Sequence, residues 1–132
     1  MGNIGAIIRS AYSFGCDAVI VGGINQPKFE TIVRSSSGAA LSTPLCVYFD
    51  TADALNRLRQ IGFQVVGATL DGIPLKSASF QSKRVLVLGS EGEGFPKKIS
   101  DKFDCKVTIE MKRPFDSLNV SAAAAILIHA IA

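Results

Sequence analysis

Two apolar patterns alternate along the chain. Five short runs are rich in β-branched residues: Ala18-Val19-Ile20-Val21, Leu45-Cys46-Val47-Tyr48-Phe49, Phe63-Gln64-Val65-Val66-Gly67-Ala68, Val85-Leu86-Val87-Leu88 and Val107-Thr108-Ile109. They are too short for helices and lack strict polar alternation, so they read as buried, parallel strands. Between them, apolar residues recur at helical spacing. Ile4, Ile7, Ile8, Ala11 and Tyr12 share one face of a helix that begins at residue 3 and stops at Gly15. A weaker helix is predicted over about 28–36. A third is clear: Thr51 or Asp50 caps it, Leu55, Leu58 and Ile61 form its stripe, and Gly62 ends it. A short helix is expected after Pro96, since proline suits a first helical position. The last helix runs from about residue 118 to the end. It is apolar all round and carries Ala122 to Ala125, which predicts burial within the fold or against another subunit.

Strand and helix in turn predict an α/β fold, with a mostly parallel sheet flanked by helices. No internal repeat or low-complexity segment is visible. An α/β domain that opens on a helix leads us to expect that its first strand is missing. The 132 residues read as a single domain, and a chain of this size hides roughly two-thirds of its unfolded surface. Hydrophobic residues at 48% and charged ones at 19% exclude intrinsic disorder. No run approaches the roughly 18 apolar residues of a membrane span, so no membrane partner is expected. The first residues lack the basic and apolar regions of a secretory signal. Cys16, Cys46 and Cys105 are scattered, without a Cys-x-x-Cys, and His129 is the one histidine. They predict buried, reduced thiols in a cytoplasmic protein and no metal site.

Net charge is +3, which leans toward an anionic partner. Residues 1–76 hold six basic and five acidic side chains, and residues 77–132 hold eight and six. Basic pairs fall at Lys83-Arg84, Lys97-Lys98 and Lys112-Arg113, a pattern that a solvated mixed surface also produces.

In open α/β sheets ligands bind beyond the carboxyl ends of the strands. After 85–88 comes Gly89-Ser90-Glu91-Gly92-Glu93-Gly94. Its Gly-x-x-Gly-x-Gly spacing is not that of a dinucleotide fold, it has no Walker lysine, and its two carboxylates disfavour phosphate. A neutral or cationic ligand fits better, and a plain glycine-rich turn is the simpler alternative. After 107–109 come Glu110-Met111-Lys112-Arg113, then Ser117-Leu118-Asn119-Val120-Ser121. Ser117 or Asn119 is enough to cap the last helix, yet two such residues on one turn exceed what a cap needs. Asn3 and Arg9 lie on the first helix, where Arg9 interrupts an apolar face; a surface arginine snorkelling outward is the alternative. No Gly-x-Ser-x-Gly, cysteine–histidine pair or His-x-x-x-His is present, and His129, deep in the alanine-rich helix, reads as a packing residue.

Three segments together carry a resemblance. Asn3-Ile4-Gly5-Ala6-Ile7-Ile8-Arg9-Ser10-Ala11 with Phe14-Gly15, then Leu88-Gly89-Ser90-Glu91-Gly92-Glu93-Gly94, then Ile109-Glu110-Met111 with Ser117-Leu118-Asn119-Val120-Ser121-Ala122-Ala123, resemble motifs 1, 2 and 3 of the SpoU (TrmH-type) RNA 2′-O-ribose methyltransferases. Order and spacing match, and the resemblance covers essentially the whole chain. It implies the SPOUT fold with a C-terminal trefoil knot, S-adenosylmethionine as cofactor without a metal, tRNA or rRNA as substrate, and a homodimer. It further implies that Leu88, Gly89, Gly92, Ile109, Met111 and Leu118 hold the cofactor, largely through the backbone, with Ser117 and Asn119. Asn3, Glu91, Ser117 and Asn119 match polar motif residues at the reacting centre. Arg9 matches the arginine that engages the target ribose and phosphate, at a site shared across the dimer. The chain departs from the pattern in two places, Met1-Gly2 where a strand and an Asp-Pro pair usually precede the motif 1 asparagine and Glu110 in place of a proline, and the N-terminal RNA-binding extension of many relatives is expected to be missing.

The sulfonium is already activated, so the enzyme must align a ribose hydroxyl with the methyl carbon and help remove its proton. An arginine is a poor base, so Arg9 is expected to anchor a phosphate and stabilise the developing oxyanion. Two other readings compete. A non-catalytic RNA-binding relative would have lost motif residues, and Arg9, Glu91, Ser117 and Asn119 are all present. A nucleotide-binding dehydrogenase would need a phosphate-type glycine loop, which is absent.

Overall fold

The computed structural model describes residues 2–23, 29–89, 94–113 and 119–132. Elements follow in the order α1 (Gly2–Ser13), β1 (Val19–Gly22), α2 (Phe29–Ser35), β2 (Leu45–Tyr48), α3 (Thr51–Gln60), β3 (Gln64–Pro74), β4 (Arg84–Val87), α4 (Lys97–Ser100), β5 (Cys105–Thr108) and α5 (Val120–Ile131), with single 3-10 turns at Ala39–Leu41 and Leu75–Ser77. Every strand pairing is parallel. Among the described residues the strands form two sheets, β1-β2 and β4-β3-β5. The chain divides into two compact units, one of residues 1–51 with 121–132 and one of residues 52–120.

The first unit is built on α1 and α2. Ile8 and Ile32 are fully buried beside Ala39 and Ala40, with Ile4, Val19, Val33 and Leu45 packed around them. Gly5 sets how closely the two helices approach: a Cβ there would lie 2.9 Å from the Ser35 carbonyl carbon. Helix ends follow the sequence. Gly15 (φ 79°) closes α1 and Gly62 (φ 95°) closes α3, both in the left-handed region. From Ser121 onward α5 buries Ala124, Leu127, Ile128 and Ile131 and leaves its other side open. Three expectations are corrected here. Tyr12 does not join the buried face of α1; it is 54% exposed. His129 does not lie deep; it is exposed, with its ring edge-on to Phe14 at 5.0 Å, which keeps it a packing residue. None of the three thiols is buried: Cys46 is exposed, and Cys16 and Cys105 are half-buried.

In the second unit Leu55, Val65, Val87 and Ile99 form the core, with Phe95 and Phe103 against it, ring edge to ring face at 4.9 Å. Ile61 leaves the expected α3 stripe: it lies past the helix end and is 61% exposed. Lys83 covers this corner, its Nζ donating to the Ile61 carbonyl at 3.2 Å, so one of the basic pairs has a structural task. The Asp104 carboxylate accepts the Val65 N–H at 2.7 Å and pairs with Arg59 at 3.2 Å, which pins the start of β5 to β3. The long strand β3 runs past its expected end at Ala68. Val107 is the register partner of both Ala68 and Ile73, so the ladder skips Thr69–Gly72 and resumes.

Candidate functional site

The second unit brings two of the motif segments to the carboxyl end of one sheet. β4 and β5 flank β3, and all three run parallel. Val87 and Lys106 both face Gly67. Gly89 follows Val87 by two residues, and 109–111 follow Thr108, the last residue of β5. The segments after β4 and β5 are two strand spacings apart, about 10 Å. Leu88, Gly89 and Ile109 are half-buried and Met111 is 38% exposed. Residues 109–111 lie past the last ladder pair, Pro74–Thr108, so that ladder does not use their backbone donors and acceptors. Glu110, the departure from the motif pattern, reaches back to Lys76 on the turn after β3 at 3.7 Å. Both groups are exposed, so the pair adds little stability.

A side chain at Gly89 would be crowded. A Cβ would stand 3.0 Å from the Phe95 ring, and that ring is wedged against Phe103 and the core. The crowding is with the protein's own aromatic pair, a neighbour the sequence did not disclose.

The Thr69 hydroxyl, the Asp71 backbone N–H and the Lys106 ammonium hold the Asp71 carboxyl below the usual range. Burial, then the neighbouring Asp104 carboxylate, push the Cys105 thiol up, which makes it a poor nucleophile. Among the described residues no group of three or more His, Cys, Asp or Glu could hold a metal ion.

Asn119 is exposed and immediately precedes Val120, the first residue of α5, so it occupies the N-cap position. Glu91, Gly92, Ser117 and Leu118 lie outside the described residues.

Asn3 and Arg9 belong to the first unit, both exposed on α1. Arg9 does not interrupt the buried face: Ile8 is fully buried, and one residue turns the helix by about 100°. Arg9 shares the open side with Tyr12 and Ser13, whose hydroxyl donates to the Arg9 carbonyl at 2.8 Å. The Arg9 Nη1 donates to the Ser37 hydroxyl at 3.4 Å. Sequence reasoning passed over Ser37, because Ser35-Ser36-Ser37-Gly38 reads as an ordinary loop.

The fold defines an α/β protein whose candidate binding segments leave the carboxyl ends of parallel strands. The model of the SpoU rRNA Methylase family matches residues 1–129, and the chain belongs to that family. An uncharacterized tRNA/rRNA methyltransferase of Mycolicibacterium vanbaalenii is 34% identical over 98% of this chain and 42% of its own length. The SpoU methyltransferase AviRb from Streptomyces viridochromogenes, solved in complex with the cofactor AdoMet, is similar with a TM-score of 0.85 at 29% identity, over 98% of this chain and 54% of that one. An RNA 2′-O ribose methyltransferase is similar with a TM-score of 0.87 at 28% identity, over 98% and 50%. The chain spans about half the length of the curated relatives it matches. Among the described residues no helix is long and apolar enough to cross a membrane.

Proposed function

We propose that this chain transfers a methyl group from S-adenosylmethionine to a ribose 2′-hydroxyl of tRNA or rRNA. One observation carries the reading: in a member of the SpoU family, the segments at 88–89 and 109–111 leave the carboxyl ends of two strands that pair β3 in parallel. The solved relatives add support, one bound to AdoMet and one named for ribose 2′-O chemistry. The residues suit that cofactor. Leu88, Ile109 and Met111 offer apolar surface to an adenine, and backbone past the ladder can bond its polar edge. When bound, the cofactor supplies a methyl already activated on a sulfonium. Glu91, Gly92, Ser117, Leu118 and Asn119 complete the cofactor and reacting-centre set in this reading. Asn3 stands on α1 with Arg9. Arg9 offers a permanent cation and a planar fork of donors, suited to an RNA phosphate and to the oxyanion that forms as the hydroxyl loses its proton.

The reading includes a C-terminal trefoil knot, a homodimer and work in the cytoplasm. The open sides of α1 and α5, with Tyr12 and Ile126 at 54% and 44% exposure, support a dimer through those helices. Calorimetry tests the function. S-adenosylmethionine or its demethylated product should bind with micromolar-scale affinity, about −8 kcal/mol, and labelled methyl should pass to bulk RNA. Tighter binding of NAD than of either would overturn the reading.

A further inference from the structure

Three helices end in the same hydrogen-bond pattern. In α1, Gly15 N–H bonds the Tyr12 carbonyl (3.2 Å) and Cys16 N–H the Ala11 carbonyl (2.9 Å). In α3, Gly62 and Phe63 do the same to Arg59 and Leu58 (3.0 Å each). In α2, Ser37 bonds Arg34 (3.1 Å) and Gly38 bonds Val33 (2.9 Å). The residue at the turning point must take a left-handed backbone, and α1 and α3 place a glycine there. α2 places Ser37, at φ 56°, the one non-glycine residue with positive φ among those described. For a residue with a Cβ that conformation is strained. Glycine was available one position on, at Gly38, so the chain keeps a side chain where its own pattern favours none. That side chain faces Arg9: its hydroxyl accepts from Nη1 at 3.4 Å.

The surroundings fix the serine. The neighbouring Ser36 is fully buried; its hydroxyl donates to the Val33 carbonyl at 3.0 Å and accepts the Ala40 N–H at 3.1 Å. The tight crossing at Gly5 and Ser35 holds α1 against the end of α2. An exposed arginine otherwise samples many rotamers, and ordering it on a ligand costs entropy. One acceptor on one Nη leaves the other donors of the fork available to an anion.

We propose that Ser37 is a positioning residue for Arg9: its left-handed backbone aims the hydroxyl at the guanidinium and pre-orients it for the RNA phosphate. This rests on the reading of Arg9 as the RNA anchor.

The test uses single-turnover transfer of labelled methyl to bulk RNA by the full-length protein, with cofactor titration and thermal melting alongside. Ser37→Gly keeps the backbone conformation and removes the acceptor. It should slow transfer by about fivefold, leave cofactor affinity unchanged, and leave the melting temperature equal or higher. Ser37→Asn tolerates a left-handed backbone and keeps an acceptor, so it should retain most of the rate. In an Arg9→Ala background, Ser37→Gly should add nothing. In the single variant, nitrogen-15 relaxation of the Arg9 side chain should report faster motion than in the parent. If Arg9→Ala is slow but Ser37→Gly runs at the parent rate, the positioning role is wrong and the anchor stands. A loss that persists in the Arg9→Ala background, or tracks a fall in melting temperature, also overturns it. If Arg9→Ala itself runs at the parent rate, the anchor reading falls and the positioning role falls with it.

Discussion

The two units present their candidate chemistry in opposite ways. The second unit offers backbone: the segments after β4 and β5 leave the carboxyl ends of strands paired in parallel with β3, and Gly89 has no side chain to crowd Phe95. The first unit offers a side chain: Arg9 stands on the open side of α1, steadied by one hydroxyl from the end of α2. A backbone site tolerates exchange of similar side chains and fails when volume is added. A side-chain site tolerates volume nearby and fails when the donor is lost.

Gly89→Val is the strongest challenge to the backbone half of that contrast. The added Cβ crowds the Phe95 ring at 3.0 Å and the two methyl groups add further volume, so cofactor affinity should fall by about a hundredfold or more, roughly 3 kcal/mol. Overpacking should also cost about 1–3 kcal/mol of stability. Calorimetry with S-adenosylmethionine and a melting curve separate the two, and unchanged affinity would remove Gly89 from the site. Gly5→Val is next, by about 1–3 kcal/mol or more, because the added atoms meet the Ser35 backbone. Denaturant unfolding should show the loss with cofactor affinity intact. Ile109→Val trims one methylene beside the strand end and should cost only about 0.5–1.5 kcal/mol, with cofactor still bound. A complete loss of binding would mean that the side chain, not the backbone, makes the contact.

The smallest effect concerns Asp71. Its carboxyl is held low chiefly by the Thr69 hydroxyl. A depressed folded-state value means the group stabilises above the ordinary carboxylate range, and that contribution fades as pH falls through the folded value. Thr69→Val should move the Asp71 titration upward by carbon-13 NMR, with little change in stability at neutral pH. No movement would show that Lys106 and the backbone alone hold it down.

Much of this was legible in the sequence, for identifiable reasons. All five strands announced themselves as short apolar runs; the expected burial holds for Val65, Val66 and Val107 but not for β2, where no residue is buried and Val47 is 41% exposed. Glycine marked the ends of α1 and α3. The end of α2 was placed within a residue, but nothing in the sequence disclosed that Ser37 takes a left-handed backbone there ahead of Gly38. Thr69-Leu70-Asp71-Gly72 reads as a turn, so nothing in it disclosed that β3 resumes at Ile73 against Val107. Arg9 was placed on the wrong face because adjacent residues on a helix differ by about 100°, and its neighbours Ile7 and Ile8 are both apolar. The Phe95–Phe103 pair under Gly89 joins residues brought together only by the fold.

Arg9→Ala, read twice on the same protein, tests the contrast most directly. Transfer of labelled methyl to RNA in a single turnover should fall about 100-fold or more, roughly 3 kcal/mol. S-adenosylmethionine titration should give the parent affinity, since the cofactor is assigned to backbone of the other unit. Arg9→Lys should recover little, because an ammonium lacks the planar fork. Transfer at the parent rate, or a cofactor affinity that falls in step with the rate, would contradict the account.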